Sequence, residues 1–140
     1  MKKIILSILF ILPFIVNSCT EEPNELDKYQ GVWDASLVLT TSVDGGEEIR
    51  TESTGQVEII SGDKVLYIDQ YPYRVSGDKI SIPKTTGRTS LNGMTMETTF
   101  EANGTLSDKE IKLQEINDVR SDYEGTITTT HQVIYLVLSR

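Results

Sequence analysis

The chain of 140 residues has room for one domain, and its 38% hydrophobic and 24% charged residues exclude a disordered tail and a multi-span membrane protein. Lys and Arg number 13 against 21 Asp and Glu, a net charge of −8, which is the wrong sign for a nucleic-acid partner because phosphate recognition needs a basic face. A single His and a single Cys exclude a zinc-finger ligand set and a disulfide framework.

Residues 1–18 read as an export signal. Lys2 and Lys3 precede the apolar run Ile4–Val16, which falls short of the roughly 20 residues a membrane-spanning helix needs. Val16-Asn17-Ser18-Cys19 then resembles a bacterial lipobox, with Asn17 departing from the commonest pattern. The resemblance implies cleavage before Cys19 and lipidation of its thiol and new amine. The other reading is an ordinary signal peptide with a Cys left by chance. Removing residues 1–18 takes away two lysines and no acid, so the mature chain is more acidic still. Such a body is repelled by anionic headgroups, and attachment has to come from acyl chains. Residues 19–25 form the lipidated Cys and a polar tether, Thr20 to Glu25. A Cys followed closely by acids resembles the surface-export signal of Bacteroidetes-type lipoproteins. The expected location is the cell envelope, lipid-anchored at the outer membrane and exposed at the surface.

No stretch after residue 35 shows helical periodicity, and the alternation of the body is that of strands. Glu25 to Gln30 has room for one helical turn. Trp33, Ala35, Leu37 and Leu39 then share a face, as do Thr51, Ser53, Gly55, Val57 and Ile59 on the next segment. Met94, Met96, Thr98, Phe100 and Ala102 alternate with polar neighbours, and so do Ile111 and Leu113. Asp44-Gly45-Gly46, the repeated Ser-Gly-Asp-Lys at 61–64 and 76–79, Ser107-Asp108-Lys109 and a corner at Tyr71-Pro72 supply turns. The spacing predicts strands near 32–41, 47–60, 64–70, 73–76, 79–83, 91–104, 108–117 and 124–139, with longer loops at 84–90 and 118–123. An all-β domain over 26–140 follows, as an eight-stranded antiparallel up-and-down barrel, because closure removes both open edges. A two-sheet sandwich of the same strands is the alternative.

Gly31-Val32-Trp33 at the start of the first strand resembles the G-x-W signature of lipocalins and of bacterial lipocalin-like lipoproteins, calycin-type barrels. Ser121-Asp122-Tyr123 resembles the family's T-D-Y, one hairpin later than the family places it. The resemblance implies that Trp33 closes the base of the barrel and that an Arg from the last strand packs across it. First and last strands pair antiparallel in such a meander, which brings Arg140 to Trp33 as a cation–π lid.

Two functions compete. Small inward residues at Thr51, Ser53 and Gly55, with Thr98 and the threonine run from Thr126, leave space inside the barrel for a small apolar or amphipathic ligand. Met94 and Met96, beside a loop at 84–93, are adaptable groups suited to line its mouth. The alternative is an interaction module (an adhesin, glycan-system accessory or inhibitor) with a packed interior and an exposed patch at Tyr71 and Tyr73. Its protein partner is unspecified. No catalytic constellation stands out: His131 is the only imidazole and has no nucleophile at a recognised spacing. No cofactor fingerprint occurs. Asn117, Asp118, Asp122 and Glu124, and Asp44, Glu47 and Glu48, lack calcium-loop spacing and read as solvated acidic loops, so no metal site is expected.

Overall fold

Period-2 alternation becomes eight antiparallel strands in the computed structural model, which describes residues 22–140. The predicted signal peptide, Cys19 and the first tether residues lie outside the described residues. The strands are β1 (Gly31–Val43), β2 (Ile49–Gly62), β3 (Val65–Ile68), β4 (Tyr71–Ser76), β5 (Lys79–Leu91), β6 (Met94–Leu106), β7 (Glu110–Tyr123) and β8 (Thr126–Ser139). Each pairs with the next, and β8 returns to β1 from Asp34↔Ser139 to Val43↔Thr130. The result is a closed up-and-down barrel, not a sandwich.

The core fills one end. Trp33, Ile59, Leu66, Ile80, Ile111 and Leu138 are the largest wholly buried side chains, one each from six strands. A five-residue 3₁₀ helix, Glu25–Tyr29, lids this base and inserts Leu26 and Tyr29 into the core. The Asn24 side chain caps the helix by accepting from Leu26 N, and its Nδ2 donates to Gly62 O at 2.7 Å. Glu25, expected in the tether, therefore belongs to the folded body. The indole Nε1–H of Trp33 donates to Tyr29 O at 2.7 Å. The guanidinium of Arg140 sits 4.7 Å from the Trp33 ring centroid and donates to the carbonyl oxygens of Lys28 and Gln30. The cation–π lid expected at the base is present.

The other end is built differently. β2 meets β3 only over Ile59–Gly62, and β4 meets β5 only over Arg74–Ser76. Beyond those levels, among the described residues, β2 has β1 as its only ladder neighbour from Ile49 to Glu58, and β5 has only β6 from Ile82 to Leu91. The wall is therefore missing on that side, and six long strands continue as a curved sheet. Residues in its middle, such as Val38, Leu39, Val133 and Ile134, are half-buried on both faces.

Three predicted boundaries are corrected. Residues 84–90 are strand, continuing β5 past a register shift between Ile82 and Thr85, where Pro83 sits. The shift inverts the alternation, so Thr85, Gly87, Thr89 and Leu91 face inward where the earlier phase would have put their neighbours. A tight hairpin replaces the loop expected at 84–93: Asn92 and Gly93 have φ of 50° and 80°, the left-handed pair that suits the twist of flanking strands. Residues 118–123 are also strand, ending at a similar hairpin, Glu124-Gly125. Tyr71-Pro72 is not the corner. Asp69 and Gln70 turn the chain with φ of 47° and 72°, and Pro72 lies in β4 where only β3 needs a partner.

Candidate functional site

Alternation along β1 and the cross-strand registers decide which side chains face inward. Trp33, Ala35, Leu37 and Leu39 point in, and the registers carry that face to Val57, Gly55, Ser53 and Thr51 on β2. At the base the inner positions are crowded. A Cβ on Gly104 would stand 2.0 Å from Lys112 O and 2.8 Å from a methyl of Leu113. One level up the opposite holds: a Cβ on Gly55 or Gly87 would meet nothing within 4 Å, although both positions face inward. The interior is thus packed at one end and open above it.

A cavity of about 260 Å³ occupies this transition. Its floor and back are Val57, Ile68, Leu136, Leu37 and Ile134. It opens sideways, between the free edge of β2 at Ser53–Val57 and the β3–β4 hairpin at Asp69 and Tyr71. Glu115 enters from β7, and the hydroxyl of Tyr73 donates to its Oε1. Tyr73 is only 2% exposed; burial, and then the Glu115 carboxylate, push its phenol well above its ordinary range.

The chain matches no family model, no curated protein and no solved structure.

Of the residues expected to line a ligand site, Ser53 lines the cavity. Thr51, Met94, Met96 and Thr98 share its inward face but stand higher, towards the open end. They belong to a second feature. Val43, Ile49, Leu91, Met94, Met96 and Tyr123 all face inward near that end and remain exposed, from 36% at Met94 to 68% at Ile49. The expected surface patch at Tyr71 and Tyr73 is corrected for Tyr73, which is buried, while Tyr71 is exposed as expected. Both rings turn to the inside, Tyr73 into the core and Tyr71, 61% exposed, onto the cavity. Sequence reasoning missed Glu115 and Asp69. Glu115 falls on the inner phase of Ile111 and Leu113, so continuing that alternation by one step would have found it.

His131 lies on the outer face of β8, with Nδ1 at 2.5 Å from Asp118 Oδ1 on β7. Both side chains are half-exposed. The register also sets Ser42 opposite His131, so serine, histidine and aspartate form one row beside a groove of about 320 Å³. No hydrogen bond joins Ser42 to His131 among the described residues. Asp118 and Asp122, read as loop acids, are strand residues of β7; Asp122 Oδ1 accepts from Gly125 N at the hairpin. No group of three or more His, Cys, Asp or Glu side chains among the described residues could hold a metal ion.

Proposed function

We propose that the protein is a lipocalin-like lipoprotein that binds a small apolar or amphipathic ligand inside its barrel. The cavity above the packed base carries this reading. Its lining is mainly aliphatic and aromatic with a few polar groups, the composition that ligand pockets share. Its volume of about 260 Å³ lies below the roughly 300–1,000 Å³ of drug-sized sites, so the ligand is small. The apolar side chains exposed on the inner face at the open end add adhesive surface on the way in. The Gly-x-Trp at the start of β1 and the Arg140 lid support the lipocalin-like assignment.

Anchoring through lipid on Cys19 completes the reading, with the chain held at the outer membrane and exposed at the cell surface. The lipobox-like 16–19 segment supports it. The chain enters the barrel at the base, beside the helix lid, so an anchor there leaves the side opening free of the bilayer. Metabolic labelling with an alkyne fatty acid should mark the wild type and spare Cys19→Ala; equal labelling of both refutes the anchor.

Fluorescence of N-phenylnaphthylamine, a small neutral apolar dye, tests the cavity. Wild-type protein should enhance it saturably, and Gly55→Leu should abolish the enhancement by filling the space. A Cβ at Gly55 meets nothing within 4 Å, and a cooperative thermal melt of the variant checks that the barrel still folds. Undiminished dye binding by Gly55→Leu would overturn the reading.

One observation favours an interaction module as a second function. Ile60, Tyr67 and Pro72 stand in one row on the outer face of β2, β3 and β4, with Ile60 and Tyr67 exposed. This row, not Tyr71 and Tyr73, is the apolar surface such a partner would meet.

A further inference from the structure

The lining of the side cavity carries charge of one sign. Its ionisable carboxyl groups are Glu115 and Asp69, and among the described residues no lysine, arginine or histidine lines it. Tyr73 fixes one oxygen of Glu115, and the other has no protein partner among the described residues. Tyr71 presents an exposed ring beside them. Carboxylate oxygens and aromatic ring faces both attract a cation, and both disfavour an anion. A carboxylate ligand would have to place its charge next to Glu115 in a partly dry site, where like charges repel strongly. The net charge of −8 on the whole chain acts in the same direction at longer range.

We propose that the cavity selects a small organic cation, an alkylammonium-type amphiphile. Its positive head lies among Glu115, Asp69 and the Tyr71 ring, and its apolar tail lies against Leu37, Ile134 and Leu136. This rests on the reading of the cavity as a ligand site and adds to it the sign of the ligand's charge. The pairing of Tyr73 with Glu115 gives the site its rigidity: a buried hydroxyl holds the carboxylate in place before the ligand arrives.

Calorimetric titration of residues 22–140, which contain the whole barrel and its lid, tests the proposal with three probes of equal tail length: octyltrimethylammonium, octanol and octanoate. The cation should bind about tenfold tighter than the alcohol, the scale of one partly desolvated cation–π or ion-pair contact, and octanoate should bind weakest. Raising the salt concentration should narrow the gap. Glu115→Gln and Asp69→Asn should bring the cation down to the affinity of the alcohol and leave the alcohol unchanged. Both variants are built to fold. Gln keeps an acceptor for the Tyr73 hydroxyl, and Asn is at ease at the positive φ of position 69. Equal binding of the three probes, or tightest binding of octanoate, would overturn the charge preference and leave the ligand cavity standing. Binding of none would overturn the cavity reading itself, and this inference with it.

Discussion

Replacing Trp33 with leucine and Arg140 with alanine, singly and together, measures the lock at the base of the barrel. Trp33 is wholly buried, and its Nε1–H satisfies the carbonyl of Tyr29. Leucine loses most of the ring volume and leaves that carbonyl unpaired, so the expected cost is about 3–5 kcal/mol, the range for large aromatics removed from a core. Arg140 is exposed at the chain end but donates to two backbone carbonyls and covers the indole at 4.7 Å. Its removal should cost about 1–2 kcal/mol, part of it from the carbonyl bonds and part from the ring. Only the ring part is shared between the two side chains. The double mutant should therefore lose less than the sum of the singles by about 0.5–1 kcal/mol. Urea melts followed by far-UV circular dichroism give the four stabilities. Trp33 is the single tryptophan of the chain, so the wild-type emission reports its burial directly. Additivity within about 0.5 kcal/mol, or a water-like red-shifted emission, would refute the closed and lidded base.

Gly104→Ala should destabilise by at least the upper end of the about 1–3 kcal/mol typical of overpacking, because the clash is with backbone at Lys112; Gly87→Ala, with open space around it, should be neutral or slightly stabilising, and comparable melts for the two would contradict the packed-base, open-top arrangement. The raised proton affinity of Tyr73 predicts alkaline sensitivity. The folded state holds the phenol proton above the pH near 10 at which the unfolded chain releases it, so stability should be intact below pH 10 and fall as pH rises beyond it. Denaturant melts from pH 8 to 11 should show that fall weakened in Tyr73→Phe; identical slopes for the two proteins would refute it. Asp118→Asn should shift stability by no more than about 1 kcal/mol, since its partner His131 is half-exposed and the pair is screened; a larger loss in a thermal melt would give the outer row a structural role it is not expected to have.

Where sequence reasoning held and where it failed follows from what each signal measures. The alternation of Trp33, Ala35 and Leu37 against Thr51 to Ile59 reports a face, and a face survives whatever the strand's length, so the inner residues of β1, β2 and β6 were legible. Strand ends were not, for two reasons. Pro83 marks a register shift, and alternation read through a shift dissolves, so the second half of β5 looked like a loop. Asn117 and Asp118 are poor strand formers by propensity. Their partners outweigh that: Asn117 donates to Gln132 at 3.2 Å on the inside and Asp118 meets His131 on the outside. Those partners lie 13 to 15 residues away and are visible only once the hairpin is closed. Asn92-Gly93 was the strongest short hairpin signal in the chain, and placing the turn there would have supplied the second half of β5. For the candidate site, Ser53 and Gly55 were legible as small inward residues. Tyr71 and Tyr73 were legible in phase with each other but not in direction, because β3 and β4 are too short for alternation to say which face is inside.

The shortness of those two strands also explains why there is a cavity at all. Eight strands of equal length can close around a solid core, and small side chains alone would only loosen it. Here β3 has four residues and β4 has six, against 13 or 14 in the other six strands, so the wall stops where the packed layers stop. Inner residues above that level face a gap in the wall as well as one another. The cavity then sits on the seam, with its floor just above the most tightly packed layer and its rim on strands that have lost a neighbour. Free energies of local opening rise with buried contact and fall where backbone is unpartnered, so floor and rim differ in rigidity. Position and affinity are separated by that difference. Substitutions in the base, such as those at Trp33 and Gly104, act on global stability, whereas those at Gly55, Asp69 and Glu115 act on what the seam admits. A ligand seated there would bridge the two regions and stabilise the rim more than the base, because the base has little left to gain.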